Sequence, residues 1–410
     1  MSAFLETACA IARRISRDAI WSGERCNWVG PFMDSFQAWD VRQKSFGPDL
    51  YCGTAGVALF LAMAAEAAGD RMIRKTAEGA ARHAAAHAKE CPVQQRIAVY
   101  SGTLGIAWSL FEIGRILGDG SWPEQATGLL DGVEDGINGA GLDVMSGYAG
   151  AIPAFLGLSR RCERPELVGL ALRCGEELER AAVRTSEGWS WKTIDIPGQP
   201  GMRNLTGFSH GTAGVGWALV ELSEATGERR FRSAADEAFR YERTYYSSEQ
   251  ENWPDFRDFL RAPGGNGPVF GTAWCHGAPG IALSRLRAWE LTASPEARQE
   301  AEAAIRTTTR SLQAADAAKG GFSLCHGCAG NADVLLEAAQ SLGGADAVET
   351  AGKIGCAGIE QFESRRLPWP CGLPGVGETP GLMLGTAGIG YFYLRLANPG
   401  IQTVLRIGRN

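Results

Sequence analysis

Three of the five histidines and two of the eleven cysteines in this 410-residue chain stand in short motifs that could bind a metal ion. Cys275 and His276 occur in AWCHGAPG, and Cys325 and His326 occur in SLCHGCAG. The third histidine, His210, occurs in GFSHGTAG. Cysteine sulfur and histidine nitrogen are ligands that zinc prefers in a reducing compartment. The two C-H-G motifs therefore predict a zinc site.

Each of these motifs ends in the tetrapeptide G-x-x-G, and seven of the copies of this tetrapeptide in the chain form a near-regular array. Its first glycines are Gly53, Gly102, Gly147, Gly211, Gly277, Gly327 and Gly385. An apolar run of about three helical turns follows each copy, as is typical of a helix buried on all sides. We expect the first glycine to allow a sharp turn into the helix and the second to allow close approach of neighbouring backbones.

More polar, amphipathic stretches lie between the apolar runs. They are Phe4–Ile20, Arg71–Glu90, Trp122–Gly136 (which fits less well), Pro165–Arg184, Arg229–Tyr246, Pro295–Asp316 and Ala345–Ser364. The alternation predicts an all-α protein, an (α/α) seven-fold toroid with inner and outer helices. Because the core of a repeat array grows along the array, residues 1–410 are predicted to form a single domain.

The histidines and cysteines share positions within the repeat. His210, His276 and His326 each directly precede the first glycine, and Cys275 and Cys325 stand one place earlier in consecutive repeats. Since the same turn carries them all, they are predicted to converge at one mouth of the ring. Adjacent side chains on one turn rarely both reach one ion, so three ligands, with a fourth position open, are easier to achieve than four. Spacing alone leaves open which residue drops out.

Other polar residues have plainer interpretations as well as functional ones. Asp143, in DVMSGYAG, falls at the same end of the ring and could cap a helix or belong to the site. Cys328 is predicted to be a packing residue, and His83 and His87 to lie on a solvated helix face.

Two long connections, Ser186–Gly207 and Ser247–Gly271, flank the histidine-bearing repeats. They are predicted to be functional, because long loops in compact domains usually are.

Charge and hydropathy restrict the partners and the compartment. The net charge is -6, with no dense basic stripe, so nucleic acid is not expected as a partner. The N-terminal segment predicts an amphipathic helix, and the most apolar stretch, Tyr51–Gly69, is interrupted by Glu66. No membrane span is therefore predicted, and the protein is expected to be cytoplasmic.

The sequences GFSHGTAG, AWCHGAPGIAL and SLCHGCAGNADVLL, with the seven glycine copies, resemble the lanthionine synthetase C-like (LanC-like) family over nearly the whole chain. The resemblance implies a zinc-dependent cyclase that adds cysteine thiols to dehydroalanine or dehydrobutyrine, forming the thioether rings of lanthipeptides. It implies the following residue roles: Cys275, Cys325 and His326 as zinc ligands, His210 as the acid/base group and Asp143 as an acidic site residue. His276 is not carried over as a ligand and is a candidate substrate contact.

The sequence departs from the family pattern at one point, and the resemblance also implies the partners of the reaction. Some of these cyclases carry an arginine just upstream of the W-C pair, where this chain has FGTA. The implied substrate is a dehydrated precursor peptide. Since the first glycine copy begins at Gly53, we expect a separate dehydratase, whether the chain is a stand-alone cyclase or an excised domain.

The residues admit several activities. In the cyclase mechanism, zinc activates the substrate thiol, His210 protonates the enolate, and Asp143 orients His210 or takes the thiol proton. A relative that joins glutathione to dehydroamino acids would use the same chemistry with a separate thiol. A non-catalytic peptide-binding toroid is less favoured because all five site residues are present. A glycosidase would need two spaced carboxylates, and only Asp143 occupies a site position.

Overall fold

The computed structural model describes residues 2–35, 40–195, 202–257, 267–314, 321–373, 375 and 377–408. In chain order the α-helices of these residues are α1 (Ala3–Arg17), α2 (Thr54–Ala68), α3 (Arg71–His87), α4 (Thr103–Leu117), α5 (Ser121–Leu130), α6 (Tyr148–Arg161), α7 (Glu166–Ala181), α8 (Thr212–Thr226), α9 (Arg229–Thr244), α10 (Ala278–Thr292), α11 (Pro295–Ala314), α12 (Cys328–Leu342), α13 (Ala345–Gly358) and α14 (Thr386–Ala397). The even-numbered helices form the inner ring and the odd-numbered helices the outer ring, which confirms the predicted all-α toroid.

The two ends of the chain meet to close the ring. Each of α2, α4, α6, α8, α10 and α12 packs against the outer helix that follows it, whereas α1 packs mainly against the last helix, α14. The inner ring in turn closes between α14 and α2. The first and last helices of the chain thus complete the seventh pair.

Inner and outer helices differ in how much of their surface is buried. In α8 every residue from Thr212 to Val220 is buried, as expected for a helix enclosed on all sides. The outer helix α9 instead buries Phe231, Ala234 and Ala238, which recur every three or four residues along one face. The weakly patterned stretch 122–136 forms the short α5 followed by a 3-10 turn at Val133–Ile137.

The glycine pairs are required by close backbone contacts. A Cβ at the second glycine would lie only 2.2 Å from the Leu50 carbonyl oxygen at Gly56, and 1.5 Å from that of Val99 at Gly105. Among the seven first glycines, only Gly277 has a positive φ, 87°. The expected sharp turn therefore needs glycine's conformational freedom only there, and elsewhere the missing side chain is what matters.

A closed circle of backbone hydrogen bonds joins the seven turns that precede the inner helices. The N–H groups donate to carbonyl oxygens in the order Tyr51 to Tyr100 (2.9 Å), Tyr100 to Met145 (3.3 Å), Val144 to Ser209 (3.0 Å), Ser209 to Cys275 (3.2 Å), Cys275 to Cys325 (3.4 Å), Cys325 to Met383 (2.9 Å) and Met383 to Tyr51 (2.8 Å). Apart from Val144, these residues all stand two places before a first glycine. The circle defines one mouth of the toroid.

Within the described residues, three short antiparallel hairpins interrupt the helical pattern. They are β1 (Ile20–Ser22) with β2 (Arg25–Asn27), β3 (Val29–Ser35) with β4 (Asp40–Ser45), and β5 (Val183–Thr185) with β6 (Gly188–Ser190). The first two lie between α1 and α2, so the helix predicted to end at Ile20 ends at Arg17. None of the described helices has both the length and the apolar composition that a membrane crossing requires.

The chain after α14 turns back into the centre of the ring. Residues 403–407 are buried, and Gly408 lies against Pro153 of α6. Arg406 contacts two other inner helices: it donates to the Leu283 carbonyl oxygen of α10 at 3.4 Å and pairs with Glu337 of α12 at 3.3 Å. Because these helices surround the centre from different directions, the segment fills the middle of the toroid.

Candidate functional site

Cys275, Cys325 and His326 come together at the mouth of the ring. Each offers one ligand atom, and the three atoms lie within 4.8 Å of one another. Zinc bound at about 2.0–2.3 Å from such donors needs them roughly this close together. Two thiols and one imidazole also match the chemistry of a zinc site. The residues present therefore fit a zinc ion.

The ring of His326 is oriented by a backbone carbonyl. His326 Nε2 lies 2.9 Å from the Gly372 oxygen, and because a carbonyl only accepts, Nε2 carries the proton and Nδ1 is left as the nitrogen that could bind a metal ion. A Cβ at Gly372 would lie 2.9 Å from His326 Nε2 and 2.8 Å from Leu384 Cδ2. Gly372 lies outside the seven glycine copies that start the inner helices, so no sequence signal singled it out.

Tyr51 contacts the cluster of Cys275, Cys325 and His326, and no sequence motif had identified it. Its hydroxyl donates to Cys325 Sγ at 3.0 Å. Tyr51 stands two residues before a first glycine, the position that Cys275 and Cys325 occupy in their repeats, and this shared position could have identified it.

A hydrogen bond with Cys325 and burial together raise the pKa of the Cys275 thiol well above its usual value. A bound cation reverses this preference and favours the thiolate.

The second part of the site is a histidine–carboxylate pair. His210 Nδ1 lies 2.6 Å from Asp143 Oδ2. The other carboxylate oxygen of Asp143 accepts from the Ser146 backbone N–H at 2.7 Å. Asp143 thus stabilises its own turn and orients His210, but it does not cap α6, because its backbone bond is to Ser146, two residues before that helix begins at Tyr148. Asp143 is buried, whereas 26% of the His210 side chain is exposed.

His276 lies beside this pair and faces a second carboxylate. Its ring centroid is 6.0 Å from that of His210, and its Nδ1 is 3.7 Å from Asp255 Oδ2. His276 Nδ1 is buried and has no hydrogen-bond partner among the described residues. Burial and the Arg257 guanidinium hold the pKa of His276 well below its usual value.

Asp255 and Arg257 come from the long connection Ser247–Gly271. Arg257 Nε donates to Asp255 Oδ1 at 2.9 Å and to Oδ2 at 3.1 Å, so the cation is held next to His276. Thr193, from the other long connection, donates to the His210 carbonyl oxygen. Both connections therefore reach the site, although residues 196–201 and 258–266 lie outside the described part of the chain.

The remaining candidates take structural roles. Cys328 is the buried first residue of α12 and is not in the ligand cluster. The prediction of a solvated face is wrong for His83, which is half-buried. Its Nδ1 lies 3.0 Å from Thr54 Oγ1 and its Nε2 lies 3.0 Å from Asn27 Nδ2. Burial lowers the pKa of His83 to about 4.

Nearly the whole chain matches two solved structures. It superposes on nisin cyclase with a TM-score of 0.70 at 16% sequence identity, covering 96% of this chain and 93% of the other. A sugar epimerase from a ruminal bacterium gives a TM-score of 0.50 at 13% identity, covering 97% and 99%. At such identities the likeness is one of fold. It defines an α/α toroid, which here bears a cysteine–histidine cluster at its mouth.

The family of the chain follows from its sequence profile. No functionally curated protein sequence matches it. The family profile described as "Lanthionine synthetase C-like protein" matches residues 44–407. This protein belongs to the lanthionine synthetase C-like family.

Proposed function

We propose that this protein is a zinc-dependent peptide cyclase. It adds cysteine thiols to dehydroalanine or dehydrobutyrine in the same peptide and forms lanthionine or methyllanthionine rings. The observation that carries the proposal is the cluster of Cys275, Cys325 and His326 beside the His210–Asp143 pair at one mouth of the toroid. Membership of the lanthionine synthetase C-like family and the fold likeness to nisin cyclase support it.

The metal would be held by Cys275, Cys325 and His326. When bound, zinc supplies a Lewis acid that ionises a thiol near neutral pH. Tyr51 and Gly372 keep two of the ligands in place through the hydrogen bonds to Cys325 Sγ and His326 Nε2. Such partners of metal ligands raise metal affinity by fixing ligand orientation.

His210 is proposed to move the proton. Its Nδ1–H donates to Asp143, so Nε2 is the nitrogen that can exchange a proton with the substrate. Addition of sulfur to the β-carbon leaves negative charge on the enolate, and protonation at the α-carbon completes the thioether. Both oxygens of Asp143 are engaged, by His210 and by the Ser146 N–H, so we assign it the orienting role and the stabilisation of the imidazolium.

His276, Asp255 and Arg257 are proposed to line the substrate path. His276 presents a buried nitrogen without a partner among the described residues, which is a group that a substrate amide could satisfy. Arg257 supplies positive charge near the reacting centre, and Asp255 fixes its orientation. A guanidinium there favours negative charge developing on a substrate carbonyl oxygen.

The partner and the compartment follow from this chemistry. We propose that the substrate is a precursor peptide dehydrated by a separate enzyme, and that nucleic acid plays no part. All eleven cysteines are free, which supports a reducing, cytoplasmic setting.

The test uses a dehydrated peptide that carries free cysteines. After incubation with the zinc-loaded protein, a thiol-blocking reagent and mass spectrometry count the remaining thiols. Cyclisation removes label without changing the peptide mass, whereas addition of supplied glutathione raises the mass by one glutathione and leaves the peptide thiols free. Full labelling with an unchanged peptide mass would contradict both activities. A matched reaction with Cys325→Ala controls for spontaneous ring closure.

A further inference from the structure

The segment Thr403–Ile407, here called the tail, occupies the centre of the toroid. None of its residues is more than 5% exposed. Thr403 Oγ1 donates to Asp333 Oδ2 of α12 at 2.5 Å, and Arg406 pairs with Glu337 of the same helix. Just before the tail, the Ile401 carbonyl oxygen accepts from Arg395 Nε of α14 at 2.9 Å. Buried charged hydrogen bonds of this kind anchor a segment firmly, because breaking one leaves an unpaired charge.

Two backbone carbonyls of the tail hold buried aromatic residues below the metal-binding cluster. Trp274 Nε1 donates to the Leu405 oxygen at 2.9 Å, and Tyr100 Oη donates to the Val404 oxygen at 2.8 Å. The rings of Trp274 and Tyr100 meet at 5.4 Å in an edge-on arrangement. Neither polar group could rotate away without losing its partner in an apolar interior, so the two side chains are locked.

Trp274 and Tyr100 are each connected to one of the two cysteines. Trp274 directly precedes Cys275 in the chain. Tyr100 packs edge-on against Tyr51 at 6.4 Å, and Tyr51 donates to Cys325 Sγ at 3.0 Å. The Tyr51 N–H also donates to the Tyr100 carbonyl oxygen at 2.9 Å. Two unbroken paths of contacts therefore run from adjacent carbonyls of the tail to the two sulfur ligands.

On the basis of the metal site proposed above, we infer that the tail is a positioning element for that site. By fixing Trp274 and Tyr100, it sets the separation of the Cys275 and Cys325 sulfur atoms. The tail touches no reacting atom and acts only through the two aromatic residues. Metal affinity is sensitive to such supports, since a small error in ligand placement weakens a coordination sphere.

The experiment removes one tail contact at a time and measures metal binding. Tyr100→Phe deletes the hydroxyl that binds Val404, and Trp274→Phe deletes the N–H that binds Leu405. Tyr391→Phe is the matched control, because Tyr391 is equally buried and its hydroxyl donates to the Gln402 oxygen at 2.7 Å, outside both paths. Zinc dissociation constants come from chelator competition, and cobalt absorption spectra report the geometry of the bound ion.

We expect Tyr100→Phe and Trp274→Phe to weaken zinc binding by ~10–100-fold and to alter the cobalt spectrum. Tyr391→Phe should lower the melting temperature by an amount similar to Tyr100→Phe, yet keep the wild-type zinc affinity. Unchanged affinity in Tyr100→Phe, or equal loss in Tyr391→Phe, would overturn the inference. A wild-type protein that binds no zinc would instead refute the proposed metal site, so the two failures are distinguishable.

Discussion

The contact between His210 Nδ1 and Asp143 Oδ2, at 2.6 Å, joins two repeats across 67 residues of chain. The backbone bond from the Val144 N–H to the Ser209 oxygen, at 3.0 Å, brings the same two turns together. Because a carboxylate only accepts, the imidazole is fixed with its proton on Nδ1. Nε2 is then the nitrogen that the proposed proton transfer would use.

Replacing His210 should slow the reaction without affecting the metal. We expect His210→Asn to keep zinc and fold while lowering the rate of ring formation by ~10²–10⁴-fold, the usual range for acid–base catalysis. Single-turnover mass spectrometry on a dehydrated peptide measures this rate. Loss of zinc from His210→Asn would make the histidine a ligand and refute the assignment. An unchanged rate would show that another group donates the proton, and His276 would be the next candidate.

The ligand assignment predicts one tightly bound zinc per chain. Cys275→Ala and Cys325→Ala should each lose most of it, because two protein donors hold the ion far less tightly than three. Cys328→Ala is the control, since Cys328 is buried but absent from the ligand cluster. Metal analysis of the purified variants measures the stoichiometry. Equal zinc loss in Cys328→Ala would show that the cluster has been assigned wrongly.

Gly372 should be intolerant of a side chain although it has no reactive side chain of its own. Gly372→Ala places a methyl group where only 2.9 Å separates it from His326 Nε2, so the imidazole must turn away from its carbonyl partner. We expect zinc affinity to fall by about tenfold or more. Gly377→Ala, in the same connection but with open space around its Cβ, should bind zinc normally. Chelator competition measures the zinc affinities of the two variants. Equal affinities would exclude a role for Gly372 in orienting His326.

Glu242 of α9 should make stability depend on pH. Burial raises the pKa of this carboxyl to about 8 from 4.5, with Arg285 of α10 opposing and Glu300 of α11 adding to the effect. Its Oε1 accepts from the Gly207 N–H at 3.2 Å. Between these pKa values the folded chain holds a proton that the unfolded chain releases, so stability falls as pH rises through the window and levels off above it.

Glu242→Gln removes this ionisation and keeps an acceptor for Gly207. Relative to wild type it should gain stability from near zero at about pH 4.5 to a maximum near pH 8, by at most about 1.4 kcal/mol per pH unit. Urea unfolding at pH 5, 6.5 and 8 measures the difference. The exposed Glu249→Gln should follow wild type throughout, and a pH-independent difference for Glu242→Gln would exclude a buried ionisation.

The packing of α1 against α14 predicts that residues 1–410 unfold as one unit. Calorimetric and van't Hoff enthalpies should then agree, and transitions seen by different probes should coincide. Limited proteolysis should cut within Ser186–Gly207 or Ser247–Gly271 before any helix. A stable half-length fragment that unfolds independently would contradict a single closed domain.

The sequence predicted the parts of the fold that repeat. Each inner helix needs a glycine that packs against the backbone of the preceding turn, as Gly105 does against Val99. The glycines therefore recur with the repeat, and their spacing predicts the inner helices. The same periodicity placed Cys275, Cys325 and His326 at one mouth. The pairing of α1 with α14 could not be predicted, because it is made between chain ends that share no motif.

The residues that sequence reasoning missed occur once each. Gly372, Asp255 and Arg257 come from connections whose course depends on three-dimensional packing, and no period identifies them. Tyr51 is the exception, since it occupies the repeat position of the cysteines but is not a residue type associated with metals. The tail was not foreseen either, because a short segment such as TVLRI gives no indication of entering a ring.

The filled centre of the ring has a topological consequence for the proposed reaction. Because Thr403–Ile407 fill the centre among the described residues, we expect a peptide to reach the mouth without passing through, so that it is not threaded and forms no interlocked, rotaxane-like complex. Free chain ends are therefore not needed for entry or release. A loop from the middle of a peptide, or a peptide already closed into several rings, can be presented just as a linear one can. Each ring closure is then a separate binding event of one peptide loop. The order of the ring closures is the order in which the loops reach the site.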